Sequence, residues 1–222
     1  AAFPAVFVNL GHGQNGFLTA ALLGGGLFWL HRRPWLAGML IGLLAYKPQF
    51  GLLIPLALLA GGHWRAIVAA GGTVIALVAV STLVLGVDIW HAFAESTTFT
   101  QAVILEQGAT GWEKIQSVFS AVRNFGGGLG LAYTAQGALA LALAASLVWL
   151  WRSEAAFDLK ASALATACLL ATPYVLDYDL VVLGVAIAFF GRDGVKRGFG
   201  DYEISLLAVA WFVPLIARSV MS

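Results

Sequence analysis

Charged residues are scarce in this sequence. They make up 10% of its 222 residues, against 60% for apolar residues, and the mean hydropathy is +0.89. A soluble domain carries roughly 25% charged residues, so this chain could not cover its own surface with polar groups in water. Lipid removes that requirement, because helices in a membrane satisfy their own backbone polar groups. The composition therefore predicts an integral membrane protein and excludes an ordinary soluble domain.

The sequence also has a single cysteine and a net charge close to zero. Cys168 is the single cysteine and lies in an apolar run, so it forms no internal disulfide and indicates no redox compartment. The net charge is +1, and the basic residues are dispersed between apolar runs, which is not the pattern of a nucleic-acid-binding protein. A lone His12 offers no metal-binding constellation. We therefore expect neither a nucleic acid partner nor a metal ion.

The first residues lack the features of a secretory leader. The opening AAFPAVFVNL begins with Ala rather than Met and contains no basic residue, so it has no signal-peptide layout. We expect the chain to be a fragment that lacks the N-terminal helices of a longer protein.

Long apolar runs dominate the rest of the chain. A membrane-spanning helix needs about 20 apolar residues, and several runs here are shorter. The runs predict an all-α fold, a polytopic transmembrane bundle that forms a single domain over residues 1–222, with no helix before the segment GHGQN at residues 11–15. About eight short helices are expected, near 15–30, 35–46, 50–61, 66–86, 129–151, 159–171, 177–190 and 204–219.

Two pairs of short runs are interrupted by polar residues and proline. Each pair is either one long helix with a polar break or a hairpin of two short helices. As one helix, residues 35–61 would be about 40 Å long, which is too long for one span without strong tilt. Pro48 disfavours helical conformation at Lys47. We therefore favour hairpins for both pairs, with breaks at 47–49 and 172–174.

Basic residues then indicate the orientation in the membrane, because Lys and Arg collect in cytoplasmic loops. One side receives eight of the basic residues: Arg32, Arg33, Arg65, Arg152, Lys160, Arg192, Lys196 and Arg197. The other side receives four: Lys47, Lys114, Arg123 and Arg218. The side with eight is predicted to be cytoplasmic, which places the long loop 87–128 outside.

The loop 87–128 contains an amphipathic stretch. Trp112, Ile115, Phe119 and Val122 would share one face of a helix over residues 112–123. This pattern predicts an interfacial helix, which could cover a site beneath it. A passive surface helix is the alternative.

Lys47 and Gln49 lie on the predicted outer side, between two apolar runs. A lysine at membrane depth is costly, and its ammonium would neutralise a phosphate as a compact point charge. Gln49 adds hydrogen bonds at a helix N-terminus, where anions are favoured. A lysine that snorkels to the lipid headgroups from a tight turn is the alternative.

Other polar residues fall on the same side. Asp177 and Asp179 either cap a helix or contribute to a site, and a spacing of two places them on different helix faces. Tyr174 and Tyr178 either stack on a sugar or belong to the aromatic belt. The remaining members are three residues around the start of the first predicted helix: His12 and Gln14 as candidate ligand contacts, and Asn15 as a candidate N-cap.

Four segments together resemble glycosyltransferase family 87. They are NLGHGQNGFLTAALL, RRPWLAGMLIGLLAYKPQFGLLIPLALLAGGHWRA, GWEKIQSVFSAVR and ATPYVLDYDLVVLGVAIAF. These enzymes are polyprenol-phosphate-mannose-dependent mannosyltransferases of the GT-C type in bacterial plasma membranes. The resemblance implies transfer of mannose from a polyprenyl-phosphate donor, amid membrane lipids, to an extracytoplasmic glycolipid or glycan acceptor.

The resemblance also assigns residues. It implies that Lys47 and Gln49 hold the donor phosphate, and that His12, Gln14 and Asn15 line the same cavity. Asp177, Tyr178 and Asp179 match a late motif of the family, and we predict that they and Tyr174 line the cavity as well. GT-C enzymes carry a general-base aspartate in their first extracytoplasmic loop, which would precede Ala1. The catalytic residue therefore stays unassigned, and this fragment is expected to be inactive. A multi-span secondary transporter and a non-catalytic scaffold are the alternatives.

Overall fold

The computed structural model describes residues 3–221, with side chains up to residue 217, so the side chain of Arg218 lies outside the described part. This region is all-helical and contains no β-strand, as predicted. Eleven α-helices follow one another: α1 Pro4–His12, α2 Gly16–Trp29, α3 Pro34–Leu43, α4 Ile54–Ala60, α5 Trp64–Leu85, α6 Ile89–Phe99, α7 Val118–Asn124, α8 Leu129–Arg152, α9 Phe157–Leu170, α10 Leu183–Arg197 and α11 Glu203–Met221.

Two of these helices are long and apolar enough to cross a membrane. The most apolar stretch of α5 has a mean hydropathy of 2.3, and 6% of its residues are buried inside the protein. The corresponding stretch of α8 has a mean hydropathy of 1.6, and 17% of its residues are buried. The apolar core helix of a soluble protein would be mostly buried, so these exposed surfaces indicate a lipid environment. The other apolar helices are shorter, and the larger number of spans stays a prediction.

The chain reverses direction within the first predicted pair, between α3 and α4. A Cβ placed on Gly42 would lie 2.6 Å from the carbonyl oxygen of Ala70, and one on Gly38 would collide with that of Ala66. These contacts make α3 and α5 parallel, so α4 must return the chain to the level at which α3 begins. The first pair is therefore a hairpin, and two short 3₁₀ helices around Lys47 form its turn.

The second pair reverses in the same way. Ser162 donates a hydrogen bond to the carbonyl oxygen of Ala186, and Asp158 pairs with Arg192. Because higher numbers in α10 meet lower numbers in α9, the two helices are antiparallel. A 3₁₀ helix, Asp177–Val182, leads from the turn into α10.

The main core lies between α2, α3, α4, α9 and α10. Its fully buried side chains include Leu23, Leu27, Ile54, Leu58 and Leu164. Glycines allow close approach here, since a Cβ on Gly26 would lie 2.7 Å from the side chain of Ile41. Small residues such as this glycine let two helices approach closely at their interface.

Three parts of the chain differ from prediction. A helix does precede the glycine-rich turn, since α1 begins at Pro4 and ends where Gly13 adopts φ 62°. A second unpredicted helix is α6, which continues as a π-helix over Thr100–Glu106. The prediction of a continuous helix over residues 112–123 is wrong, because the backbone of Ile115 is extended and pairs with Leu176.

Candidate active site

Lys47 occupies the turn of the first hairpin. Its backbone is non-helical, with φ −128° and ψ 73°, as expected for a residue before proline. The ammonium nitrogen Nζ lies 2.6 Å from Oδ1 of Asp179, and the two side chains are 11% and 3% exposed. It also lies 5.2 Å from the centre of the Tyr178 ring, within range of a cation–π interaction. Lys47 is therefore held inside the protein rather than extended towards headgroups.

Asp177 and Asp179 point in different directions, as their spacing requires. Asp179 reaches Lys47 through Oδ1, and its Oδ2 accepts a hydrogen bond from the Leu176 amide at 3.3 Å. Asp177 accepts from the Tyr178 amide at 2.8 Å, and its Oδ1 lies 3.9 Å from Nε2 of His12. Each carboxylate thus binds a backbone amide near the start of the 3₁₀ helix and also approaches a second side chain.

Asn9 organises the glycine-rich turn that precedes α2. Its side-chain oxygen accepts a hydrogen bond from the Gly16 amide at 3.2 Å. A Cβ on Gly16 would lie 2.8 Å from the carbonyl oxygen of Tyr178, so the start of α2 packs directly on the 3₁₀ helix. Asn15 occupies the N-cap position, but its side chain makes no capping bond. Asn9 supplies that bond instead.

The other residues of this turn lie at the surface. His12, Gln14 and Asn15 are exposed, and the His12 ring centre lies 5.9 Å from that of Tyr178. The Gln14 and Asn15 side chains make no hydrogen bond within the described part of the chain. Of the three, only His12 is joined to the second hairpin.

A cavity of about 600 Å³ lies beside the first turn. Its walls come from that turn, α6, α8 and the turn of the second hairpin, and they include Tyr46, Gln49, Gln101, Tyr133 and Tyr174. Burial raises the pKa of Tyr174, so its hydroxyl stays protonated and can donate a hydrogen bond. The structure thus places Gln49 and Tyr174 together in this cavity, whereas Lys47 and the other predicted site residues are not among those that line it.

The long loop closes onto the second turn. The Gln116 amide donates to the carbonyl oxygen of Val175 at 2.7 Å, next to the Ile115–Leu176 bridge. Ser117 then starts α7 by accepting a hydrogen bond from the Ser120 amide at 3.1 Å. The predicted apolar face is buried at Ile115 and Phe119, so it packs on protein.

Sequence reasoning overlooked Tyr46, Gln101 and Tyr133. Tyr46 adjoins Lys47, and its hydroxyl lies 2.6 Å from that of Thr19 in α2. Tyr133 places a hydroxyl group within the apolar run of α8, and this was a signal in the sequence. Gln101 carried no signal, because its contacts depend on the local helix geometry.

Residues 1–173 match the profile of glycosyltransferase family 87. The chain belongs to this family. No curated protein and no solved structure shows a significant match to this chain. Family 87 membership indicates glycosyltransferase activity and, together with the two exposed apolar helices, a membrane protein. The match includes Lys47 and Gln49 but ends before Tyr174, so the segment with Asp177 and Asp179 lies outside it.

Proposed function

We propose that this family 87 protein transfers a hexose, mannose, from a polyprenyl-phosphate donor to a glycan or glycolipid acceptor on the outer side of the plasma membrane. The family supports sugar transfer. The exposed apolar helices α5 and α8 support a donor that is itself embedded in lipid. No feature of the described residues favours a transporter, and independence of metal ions stays a prediction.

The observation that carries the proposal is the position of the cavity relative to Lys47. Tyr46, Pro48 and Gln49 all line the cavity, so the lysine is bracketed by wall residues on both sides. A departing phosphate needs cationic or hydrogen-bond stabilisation. In the proposal, Gln49 supplies hydrogen bonds at the wall and Lys47 supplies the charge.

Asp179 determines the net charge around Lys47 and the position of its ammonium group. The ion pair at 2.6 Å leaves little net charge at this point, and an ammonium has three N–H donors. The donor phosphate would therefore share Lys47 with Asp179 or displace the carboxylate. Either way Asp179 keeps the ammonium in place before the donor binds.

The test is transfer of radiolabelled mannose from polyprenyl-phosphate mannose by the purified protein in its full natural length, in lipid nanodiscs. We expect Lys47→Ala and Gln49→Leu to raise the KM for the donor or lower kcat. Gln107→Leu is the matched control, since Gln107 is exposed and does not line the cavity. Unchanged kinetics in a folded Lys47→Ala protein would remove the lysine from the donor site. Transport of labelled mannose into proteoliposomes without transfer would replace the proposal by a transporter.

A further inference from the structure

The π-helix after α6 brings together two residues that an ordinary helix would separate. Side chains five residues apart in an α-helix differ by about 140° around the axis, given 3.6 residues per turn. The wider π turn places Gln101 beside Glu106, and the amide nitrogen Nε2 of Gln101 donates to Oε1 of Glu106 at 3.1 Å. Short π segments occur frequently at functional sites.

Tyr133 completes a closed triangle with these two residues. Its hydroxyl donates to Oε1 of Glu106 at 2.6 Å and lies 3.2 Å from Nε2 of Gln101. The Tyr133 ring packs against Phe119, with ring centres 4.7 Å apart, and Phe119 is fully buried. The triangle is therefore fixed by the core beneath α7 and α8.

The end of the π-helix is also fixed from behind. The last carbonyl groups of a helix lack partners within the helix. Here the indole nitrogen of Trp112 donates to the carbonyl oxygen of Leu105 at 2.8 Å, and Arg123 donates to that of Glu106 at 3.3 Å. Arg123 in turn lies 4.7 Å from the centre of the Trp112 ring. These contacts hold the backbone of Glu106 while its carboxylate stays with Gln101 and Tyr133.

The carboxylate keeps unused acceptor capacity. Both hydrogen bonds end on Oε1, and Oε2 receives none from the residues that the structure describes. The Tyr133 hydroxyl, and then the Gln101 amide, hold the pKa of Glu106 below its ordinary range. The group is therefore an ionised acceptor near neutral pH, and ionised acceptors form the stronger hydrogen bonds.

The wall that α6 and α8 contribute to the cavity suits a ligand with hydroxyl groups. Gln101 and Tyr133 line the cavity together with Tyr46, Gln49 and Tyr174. Tyrosine rings and amide groups suit the faces and hydroxyls of a sugar. Its volume of about 600 Å³ falls within the usual range for small-molecule sites.

We propose that Gln101, Glu106 and Tyr133 form a subsite that binds the hydroxyl groups of the acceptor's sugar. The inference rests on the proposed function, because it assigns the acceptor to the wall built by α6 and α8 and leaves the donor phosphate with Lys47. Gln101 and Tyr133 contact the sugar, because both line the cavity. Glu106 does not line the cavity and acts as a positioning residue, since its Oε1 holds both of these side chains.

The test measures binding of octyl α-mannoside to the purified protein in lipid nanodiscs prepared without glycoside detergents, which would compete. We expect Glu106→Gln and Tyr133→Phe to raise the Kd by about tenfold, as expected for loss of a hydrogen bond to a charged group. Glu95→Gln is the matched control, because Glu95 is exposed on α6 and, unlike Glu106, is hydrogen-bonded to neither Gln101 nor Tyr133. Circular dichroism and gel filtration establish that each variant is folded.

Transfer kinetics separate this inference from the proposed function. We expect both variants to raise the KM for the acceptor and to leave the KM for the polyprenyl-phosphate donor unchanged. If wild-type protein binds the mannoside and the variants lose it, but no polyprenyl-phosphate sugar is consumed, the subsite stands and the proposed donor is wrong. Equal Kd values in wild-type protein and both variants overturn the subsite. A rise in donor KM alone, or no binding by octyl α-mannoside, β-glucoside or β-galactoside, overturns it as well.

Discussion

The ammonium of Lys47 and the carboxylate of Asp179 lie 2.6 Å apart although 132 residues separate them in the chain. The contact joins the turns of the two helix hairpins. Both side chains are almost completely buried, so each charge depends on the other for compensation. A buried ion pair is not by itself evidence of stability, since desolvation can exceed the Coulombic gain. Its position next to residues that line a cavity therefore fits a functional role for the lysine.

Removing one partner of this pair should be more harmful to stability than removing both. Lys47→Ala leaves Asp179 buried without a counter-charge, which typically costs about 3–5 kcal/mol. We expect the double variant Lys47→Met/Asp179→Leu to regain most of that stability and still to lack transfer. Thermal unfolding and mannose transfer measured on the same preparations check this. A double variant with full activity would make the pair purely structural.

Close packing of α3 on α5 gives a second prediction. A Cβ at Gly38 would collide with the carbonyl group of Ala66, so Gly38→Ala should destabilise the protein by about 1–3 kcal/mol through overpacking. Gly71→Ala in α5 is the matched control, because nothing lies within 4 Å of its added methyl group. The control should be neutral or stabilising, since alanine is the better helix former. Equal midpoints of thermal unfolding in the two variants would contradict the close approach of α3 and α5.

The sequence was sufficient for the features that depend on local composition. Apolar runs located the eight predicted helices, and Pro48 located the turn of the first hairpin because it excludes helix at Lys47. The two-residue spacing of Asp177 and Asp179 correctly indicated that they face different partners. These features follow from hydropathy, proline geometry and helix periodicity.

Features set by long-range contacts were not predictable. The amphipathic pattern over 112–123 favoured one helix, but pairing of Ile115 with Leu176 interrupts it. Nothing local indicates that Lys47 meets Asp179. Gln101 and Glu106 would be read as lying on different faces of an α-helix, and only the π turn joins them. The nine-residue α1 was too short to be distinguished from a loop.

The orientation in the membrane can be tested with introduced cysteines. Cys168 is buried and should not react. Ala109→Cys therefore reports the loop after the π-helix, and Val195→Cys reports the C-terminal end of α10; both positions are exposed. We expect an impermeant maleimide to label position 109 in intact cells, and position 195 only after permeabilisation, as the basic residues indicate. The opposite pattern would invert the orientation and place the candidate site in the cytoplasm.

Acceptor binding should persist at acidic pH. Tyr133 and Gln101 hold the pKa of Glu106 below its ordinary value, so the carboxylate stays ionised as pH falls through the range in which a free glutamate is protonated. Octyl α-mannoside binding should weaken only below that range. In Tyr133→Phe the largest stabilising hydrogen bond is lost, so weakening should begin at a higher pH. Superimposable pH profiles would show that the tyrosine does not control this carboxylate.

Gln136 connects three helices through two backbone groups. Its side-chain oxygen accepts from the Phe119 amide in α7 at 3.1 Å, and its nitrogen donates to the carbonyl oxygen of Leu170 in α9 at 2.9 Å. The residue is 4% exposed within the apolar helix α8. Gln136→Leu keeps a similar size but leaves both backbone groups without this partner, and each buried unpaired group costs about 1–3 kcal/mol.

Loss of the Gln136 hydrogen bonds should also affect the proposed acceptor subsite, because the ring of Phe119 packs against that of Tyr133. We expect Gln136→Leu to lower the unfolding temperature, to speed hydrogen exchange at the Phe119 amide and to weaken mannoside binding. Gln107→Leu, at an exposed loop position, makes the same chemical change as a control and should alter none of the three. Faster exchange at Phe119 with unchanged mannoside affinity would show that α7 does not transmit its position to Tyr133. Unchanged exchange would mean that Gln136 does not hold α7 in solution.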